Sequence, residues 1–269
     1  MPSNPSPVNI HLKAQLQHIT GPSKPYAHTL EQRIAMLAAR FAAIEKRLEQ
    51  QQKAGAAAAP KVKKDLSNLA PCKQDTPEVA KLREQCKTIP LHSAQFKWVP
   101  SDYYTKPLPW RKEQLGAPSI QYLCKSIVLE NTHCKNEDCS VETNSRYYVA
   151  VFQYVERFDA EKVLRFVKGM NEGMGKKQFN FRLADPEVSQ KMTGFGYNAV
   201  VPFGTAVKIP VILSEKITKL SPAYFWMGGG HVDCKVRVDT EEFLESIKPF
   251  VADITNPIPE EELSTLTGY

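Results

Sequence analysis

The chain has 269 residues, of which 42% are hydrophobic and 24% charged, enough for one substantial core with an accessory segment. Its formal net charge of +6 is uneven, because residues 1–100 hold 15 Lys and Arg against 7 Asp and Glu. No apolar run reaches the roughly 20 residues of a membrane span, and the start lacks a secretory or transit pattern, so we expect a cytoplasmic protein without a membrane segment. The six scattered cysteines exclude a disulfide scaffold and predict reduced thiols.

Three segments are predicted ahead of the main domain. Residues 1–28 hold five prolines with little periodicity and are predicted to be a disordered leader. Residues 29–53 predict a short coiled-coil-like helix, because apolar residues repeat every three or four positions. This heptad seam consists of Leu30, Ile34, Leu37, Phe41, Ile44 and Leu48. Residues 54–74 form an alanine- and lysine-rich linker, which either contacts nucleic-acid phosphates or is simply solvated.

Residues 75–255 predict one compact domain, followed by a C-terminal tail at residues 256–269. Helices are predicted where caps and periodicity coincide, at 77–87, 159–173, 185–192 and 239–251. Strands are predicted in the segments rich in β-formers, at 120–131, 146–154, 179–184, 209–217, 223–229 and 234–238. Residues 90–117 carry four prolines among aromatics and predict extended pieces. The irregular alternation of strands and helices predicts an α/β fold with a mixed, curled sheet.

The sequence contains several short motifs that bear on cofactor or nucleophile chemistry. The stretch GFGYNA lacks the last glycine of a dinucleotide-binding fingerprint, since Ala199 stands there and a strand follows. His133, Cys134 and Cys139 lie close together, but no second ligand pair completes a zinc site, which favours a polar hairpin loop with free thiols. No Gly-x-Ser-x-Gly nucleophile motif is present. We therefore expect no metal and no cofactor.

Two features remain. Lys125 lies inside an apolar strand, where its side chain either points to solvent or faces a cleft. Gly228, Gly229 and Gly230 follow an aromatic strand, where they let a substrate or another backbone approach closely, or form a bulge or tight bend. The sequence alone leaves both pairs of alternatives open.

Three features follow one another along the chain: Lys125, the stretch TGFGYNAVVPFG at residues 193–204, and a strand that ends in three glycines ahead of a last helix. In this order they resemble the YbaK-type editing deacylases. This family is also called the prolyl-tRNA-synthetase-associated domain, and the resemblance covers about residues 75–255. It implies a mixed, barrel-like β-sheet flanked by helices, and hydrolysis of the ester that joins a wrong amino acid to tRNA. The family pairs a lysine, matched by Lys125, with a Gly-x-x-x-Pro loop. Here Asn198 stands four positions before Pro202, in the place of the glycine.

The resemblance implies that Lys125 and Asn198 are catalytic, with Lys125 holding the terminal phosphate or orienting the ester. The expected substrate-binding residues are Gly196, Ala199, Val200, Val201, Pro202, Phe203, Gly204, Gly228, Gly229, Gly230 and His231. Backbone amides in this loop and at the glycines are candidate oxyanion donors, and a ribose hydroxyl of the substrate helps activate water. His231 is either a general base or structural. The small residues 199–201 predict a small amino acid, such as alanine, serine or threonine.

Three functions follow from these features. The first is trans-editing of mischarged aminoacyl-tRNA in the service of translation fidelity, with tRNA as the partner. The second is a catalytically inactive tRNA-binding or synthetase-associated module, because Asn198 replaces the family glycine. The third is a scaffold built on the heptad helix. For that helix, self-association through residues 29–52, binding to an aminoacyl-tRNA synthetase and docking on the main domain all stay open.

Overall fold

The computed structural model describes residues 66–268. The predicted leader, the predicted heptad helix and the linker up to residue 65 lie outside this range and stay predictions. The described helices are α1 (Pro77–Thr88), α2 (Leu108–Leu115), α3 (Ala160–Gly169), α4 (Pro186–Thr193), α5 (Thr240–Ile247) and α6 (Glu260–Thr267). The strands are β1 (Gln95–Trp98), β2 (Cys124–Asn131), β3 (Tyr147–Gln153), β4 (Glu156–Phe158), β5 (Phe181–Leu183), β6 (Val211–Ser214), β7 (Tyr224–Gly228), β8 (Cys234–Asp239), β9 (Phe250–Ala252) and β10 (Thr255–Pro257).

The strands form three sheets, and the largest is mixed. Its strand order is β5-β2-β3-β6-β9. Strand β2 pairs antiparallel with β5 and β3, and β6 pairs parallel with β3 and β9. A second, antiparallel sheet has the order β1-β8-β7, and β4 pairs with β10. An isolated parallel bridge between Leu123 and Trp226 brings the first two sheets together. The fold is thus mixed α/β as predicted, and within residues 66–268 the sheets do not close into a barrel.

Local capping signals account for three of the predicted helices. The carboxylate of Asp159 accepts hydrogen bonds from the first amides of α3, and that of Asp185 accepts one from the start of α4. Thr76 caps α1, with Pro77 at its first position. These side chains satisfy amides that a helix start leaves without an intrahelical acceptor, which is why the sequence predicts them well.

Two predictions about helices need correction. The stretch 90–117, predicted as extended, contains α2, which begins after Pro107 and ends at Gly116 in a left-handed conformation. Proline is compatible with the first turn of a helix, so prolines at this point start α2 rather than forbid it. The helix predicted over 239–251 ends at Ile247, because Lys248 adopts a left-handed conformation and residues 250–252 pair with β6 as β9.

The core positions the segments that later form the site. One cluster of buried side chains combines α1, β2, β6, β7 and β8 with residues 195–209 of the loop after α4. A second packs α3 against β3, and a third gathers aromatic residues around α2 and the Leu123–Trp226 bridge. In the part of the chain described, no helix is long and apolar enough to cross a membrane.

Candidate functional site

A cleft of about 480 Å³ opens between strand β2 and the loop that follows α4. Strand β2 contributes residues 124–128, the end of β5 and the start of α4 contribute residues within 183–190, and the loop contributes residues within 195–200. Tyr104, Tyr154 and Gly228 also line it. A concave site of this size with mixed apolar and polar walls is typical of small-molecule binding.

Lys125 lies half-buried in β2 and lines this cleft. Its ammonium nitrogen is 5.0 Å from the ring centroid of Phe152 and 5.5 Å from that of Tyr154, within cation–π range. Burial lowers the pKa of Lys125, and the negative charge of Glu262 acts in the opposite direction. The ammonium group of Lys125 makes no hydrogen bond or ion pair with any other residue from 66 to 268. Of the two orientations left open by the sequence, the structure shows the one into the cleft.

The loop after α4 contains a turn in which a non-glycine residue is left-handed. Gly194 caps α4 with a φ of 79°, and Asn198 has a φ of 60°. The amide of Ala199 donates to the carbonyl oxygen of Gly196 at 3.1 Å and closes the turn. Asparagine enters this region at a lower cost than most residues. The turn therefore has a conformation for which glycine is the usual choice, although Asn198 stands there.

Gly228, the last residue of β7, brings the loop against the second sheet. A Cβ atom at this position would lie 2.7 Å from the carbonyl oxygen of Val200 and 3.3 Å from the carbonyl carbon of Ala199. Such distances are too short for a side chain, so only glycine fits under the loop backbone. Gly228 therefore allows the close approach of another part of the backbone, which the sequence had left open beside a bulge or tight bend.

Five of the thirteen predicted site residues line the cleft, namely Lys125, Gly196, Asn198, Val200 and Gly228. The others lie outside its lining, namely Ala199, Val201, Pro202, Phe203, Gly204, Gly229, Gly230 and His231. Ala199, Val201 and Phe203 are buried in the core. Of the three small residues expected to set the size of the pocket, Val200 lines the cleft, while Ala199 and Val201 are buried beneath the loop.

His231 lies at the turn between β7 and β8. Its ring packs against the indole of Trp98, with 5.2 Å between the ring centroids. Its Nδ1 atom accepts a hydrogen bond from the amide of Asp233 at 3.1 Å. Both contacts are with the second sheet, which gives this histidine a place in the packing of that turn.

Some backbone amides of the turn and of the glycines after β7 donate hydrogen bonds within the protein, and others have no acceptor in the described part of the chain. Gly229 donates to the carbonyl of Cys234, and Gly230 donates to that of Ala199. These two glycine amides, expected as oxyanion donors, are thus occupied by the fold. The amides of Tyr197, Asn198 and Val200 have no acceptor among residues 66–268. The turn itself therefore supplies the donors that a bound oxyanion could use.

Sequence reasoning missed a tyrosine cluster beside the turn. The hydroxyl of Tyr104 donates to the carbonyl oxygen of Asn198 at 3.1 Å. Burial raises the pKa of both Tyr104 and Tyr154, and the two phenols also influence one another, so both stay neutral at ordinary pH. The guanidinium of Arg111 lies 5.3 Å from the ring centroid of Tyr104 and 5.8 Å from that of Tyr154. Tyr104 and Arg111 can be read from the sequence, but the hydrogen bond of Tyr104 to residue 198 joins positions 94 residues apart and leaves no local signal.

Lys235 is a second lysine near the cleft, and it is only 4% exposed. Its ammonium nitrogen donates to the carbonyl of Val232 at 2.6 Å and lies 4.6 Å from the ring centroid of Tyr104. Burial lowers the pKa of Lys235 to about 8. It lies behind the tyrosines rather than in the cleft lining.

Two exposed apolar side chains stand at the edge of the cleft. Tyr197 is 88% exposed and Leu183 is 60% exposed, although both line the cleft. Tyr197 is a central residue of the turn closed by Gly196 and Ala199. A large aromatic face that contributes nothing to the core is available to a ligand.

The hairpin loop between β2 and β3 is polar. Cys134 and Cys139 are free, buried thiols, and the Cys134 thiol donates to the carbonyl of Asn144 at 3.5 Å. The Nδ1 atom of His133 lies 3.0 Å from the carbonyl oxygen of Lys177. Between residues 66 and 268 no group of three or more His, Cys, Asp or Glu is arranged to hold a metal ion.

Comparison with known proteins identifies the architecture. No protein-family model matches the chain, and no curated protein is significantly similar to it in sequence. One similar solved structure is named "a putative trans-editing enzyme for prolyl tRNA synthetase"; it is 20% identical, has a TM-score of 0.54, and the match covers 68% of this chain and 99% of that one. The fold is YbaK-like.

Two further solved structures have the same YbaK-like arrangement. A chain from work on grafting linear epitopes onto scaffold proteins is 17% identical with a TM-score of 0.54, covering 68% of this chain and all of its own length. A hypothetical protein is 16% identical with a TM-score of 0.50, covering 65% of this chain and 99% of its own. At these identities the similarity concerns the fold.

Proposed function

We propose that this protein is a trans-editing enzyme that hydrolyses the ester bond of mischarged aminoacyl-tRNA carrying a small amino acid. The observation that supports this most directly is that Lys125 and the turn around Asn198 line one cleft of a YbaK-like fold. These are the two elements that the family resemblance pairs, and they lie far apart in sequence. One solved protein of this fold is named as a trans-editing enzyme, which is consistent with the proposal.

Ester hydrolysis needs donors for the oxyanion of the tetrahedral intermediate. Fixed backbone amides stabilise such an oxyanion because their dipoles need no reorganisation during the reaction. In this cleft the amides of Tyr197, Asn198 and Val200 take that role, since they are free of acceptors within the described chain. We assign oxyanion stabilisation to the turn.

Lys125 supplies positive charge to the substrate. Its partly buried ammonium group has neither a carboxylate nor another hydrogen-bond partner in residues 66–268, so its charge is available to the terminal phosphate or to the ester. Partial removal from water strengthens the attraction between such a charge and an anion. We assign Lys125 to binding and orientation rather than to proton abstraction.

The cleft offers a thiol that is a poor nucleophile. Cys124 lines the cleft, but burial raises the pKa of its thiol well above the usual range. A protonated thiol is not the reactive form. We therefore propose that water attacks the ester directly, helped by a ribose hydroxyl of the substrate as the resemblance implies.

The dimensions of the cleft agree with a substrate larger than an amino acid alone. A volume of about 480 Å³ holds an aminoacyl group together with part of the terminal nucleoside. Ile127, Val128 and Ala184 provide apolar walls near Lys125 and Val200. A small apolar or hydroxylated side chain fits such walls, and we propose alanine, serine or threonine as the amino acid removed.

The proposal is tested with a panel of mischarged tRNAs, using the full chain and the variant Lys125→Ala. We expect deacylation of one or a few small aminoacyl groups, and at least a hundredfold lower kcat/KM in the variant, as for loss of a major charge contact. Lys97→Ala is the control, because Lys97 is an exposed strand lysine outside the cleft. Equal activity of the two variants would exclude a role for Lys125 in the reaction.

Asn198 favours a second candidate, a tRNA-binding module without catalytic activity. Its side chain lines the cleft where the resembling family has none, so it occupies space next to the proposed oxyanion position. Under this alternative the wild type binds tRNA but hydrolyses no ester, and Asn198→Gly restores turnover. The proposed partner is tRNA in both cases, and a synthetase or a second copy as the partner of residues 29–52 remains a separate prediction.

A further inference from the structure

A half-buried tyrosine, Tyr104, is hydrogen-bonded to the turn. The hydroxyl of Tyr104 donates to the carbonyl oxygen of Asn198, the residue with a φ of 60°, at 3.1 Å. Within the part of the chain described, the other backbone ties of the turn are Ala199 to Gly196 and Gly230 to Ala199. Among residues 66–268 the carbonyl of residue 198 accepts a hydrogen bond only from Tyr104, while the amide of the same peptide donates to Gly196.

We propose that Tyr104 is a positioning residue, whose hydroxyl fixes the peptide between Asn198 and Ala199 and so holds in one conformation the turn that carries the free amides of Tyr197, Asn198 and Val200. This inference rests on the proposed function for its catalytic consequence. Rotation of that peptide would move both the carbonyl of Asn198 and the amide plane of Ala199. The effect on the substrate is indirect, because Tyr104 acts through the backbone of the turn.

Tyr104 is itself held from three directions. The Nη2 atom of Arg111 donates to the carbonyl of Tyr104 at 2.7 Å. The ammonium nitrogen of Lys235 lies 4.6 Å from its ring centroid, and the ring of Tyr103 packs edge-on at 5.4 Å. A hydroxyl carried by a ring that is packed on several sides gives a hydrogen bond of defined direction, which is what a positioning residue requires.

The tyrosine cluster also connects the turn with Lys125. Tyr154 interacts with the phenol of Tyr104, and its ring centroid lies 5.5 Å from the ammonium nitrogen of Lys125. The two sides of the cleft are thus joined through Tyr104 and Tyr154, which come from different parts of the sequence. A change at Tyr104 should therefore affect the geometry of the reaction more than the affinity for the tRNA.

The test compares Tyr104→Phe with Tyr103→Phe in the full chain. Tyr103 is a more fully buried neighbour whose ring lies 5.1 Å from the Lys235 nitrogen, yet its hydroxyl bonds to no residue between 66 and 268. We expect Tyr104→Phe to lower kcat about tenfold with KM changed less than about twofold, as for loss of one well-placed hydrogen bond. Tyr103→Phe should change neither constant by more than about twofold.

A second measurement does not require activity. Amide hydrogen exchange of Ala199 and Gly230, whose amides donate to the carbonyls of Gly196 and Ala199, should be faster in Tyr104→Phe than in the wild type and unchanged in Tyr103→Phe when followed by NMR. Equal exchange in the two variants would overturn the inference. If the wild type hydrolyses no aminoacyl-tRNA, the proposed function fails, while the exchange experiment still decides whether Tyr104 holds the turn.

Discussion

Substitution of Gly228 by alanine should push the loop away from the second sheet. The new Cβ atom would lie 2.7 Å from the Val200 carbonyl oxygen, whereas unstrained contacts of carbon atoms lie near 3.5–4.0 Å, so the loop or the strand must move by about 1 Å. Overpacking of this kind costs about 1–3 kcal/mol. The backbone of Gly228 does not have a positive φ, so this cost comes from packing alone.

The assay is denaturant unfolding of Gly228→Ala beside Gly196→Ala, with deacylation measured on both. Gly196 lies in the same cleft, has open space around its Cβ position and does not have a positive φ. Its variant should keep the wild-type free energy of unfolding within about 0.5 kcal/mol. Equal stability of the two variants would refute the argument that the loop backbone fills the space above Gly228.

Two further predictions follow from the charge and exposure of single residues. Burial lowers the pKa of Lys235 from 10.5 to about 8, so between these two pH values the unfolded chain binds more protons than the folded one. The free energy of unfolding of the wild type should therefore rise with pH, relative to that of Lys235→Met, by up to about 3 kcal/mol from pH 8 to pH 10.5. Denaturant titrations at several pH values measure this, and a constant difference would contradict it. Tyr197→Ala should weaken tRNA binding by about 1–3 kcal/mol if a base stacks on the exposed ring, and leave the melting temperature unchanged. Filter binding and thermal unfolding check the two parts, and unchanged affinity would exclude stacking.

Elements with local signals were predictable from the sequence. Helices α3 and α4 begin at Asp159 and Asp185 because each carboxylate accepts amides only two or three positions away. Helix α5 was predicted too long, since its end depends on the pairing of Phe250–Ala252 with β6, which lies elsewhere in the chain. Patterns within a short window do not contain that information.

The site was predictable only in part for the same reason. Lys125 stood out as a charged residue inside an apolar strand, and Asn198 only as the residue in place of the glycine of the resembling family; both line one cleft. Ala199 and Val201 pack into the core together with residues of α1, β7 and β8. These elements lie elsewhere in the chain, so the loop sequence alone does not predict which of its residues are buried. Tyr104 stood in a stretch predicted as extended, and its hydrogen-bond partner lies 94 positions away.

That hydrogen bond also bears on how the protein is made. Synthesis on a ribosome releases Tyr104 first, Asn198 much later and Gly228 last, so the cleft cannot exist while the chain is growing through this region. Its formation has to wait for contacts of high sequence separation, which are the slow steps of folding. Products of translation that end before Gly228 would consequently lack the complete cleft, and binding at the cleft would report that its distant segments have come together.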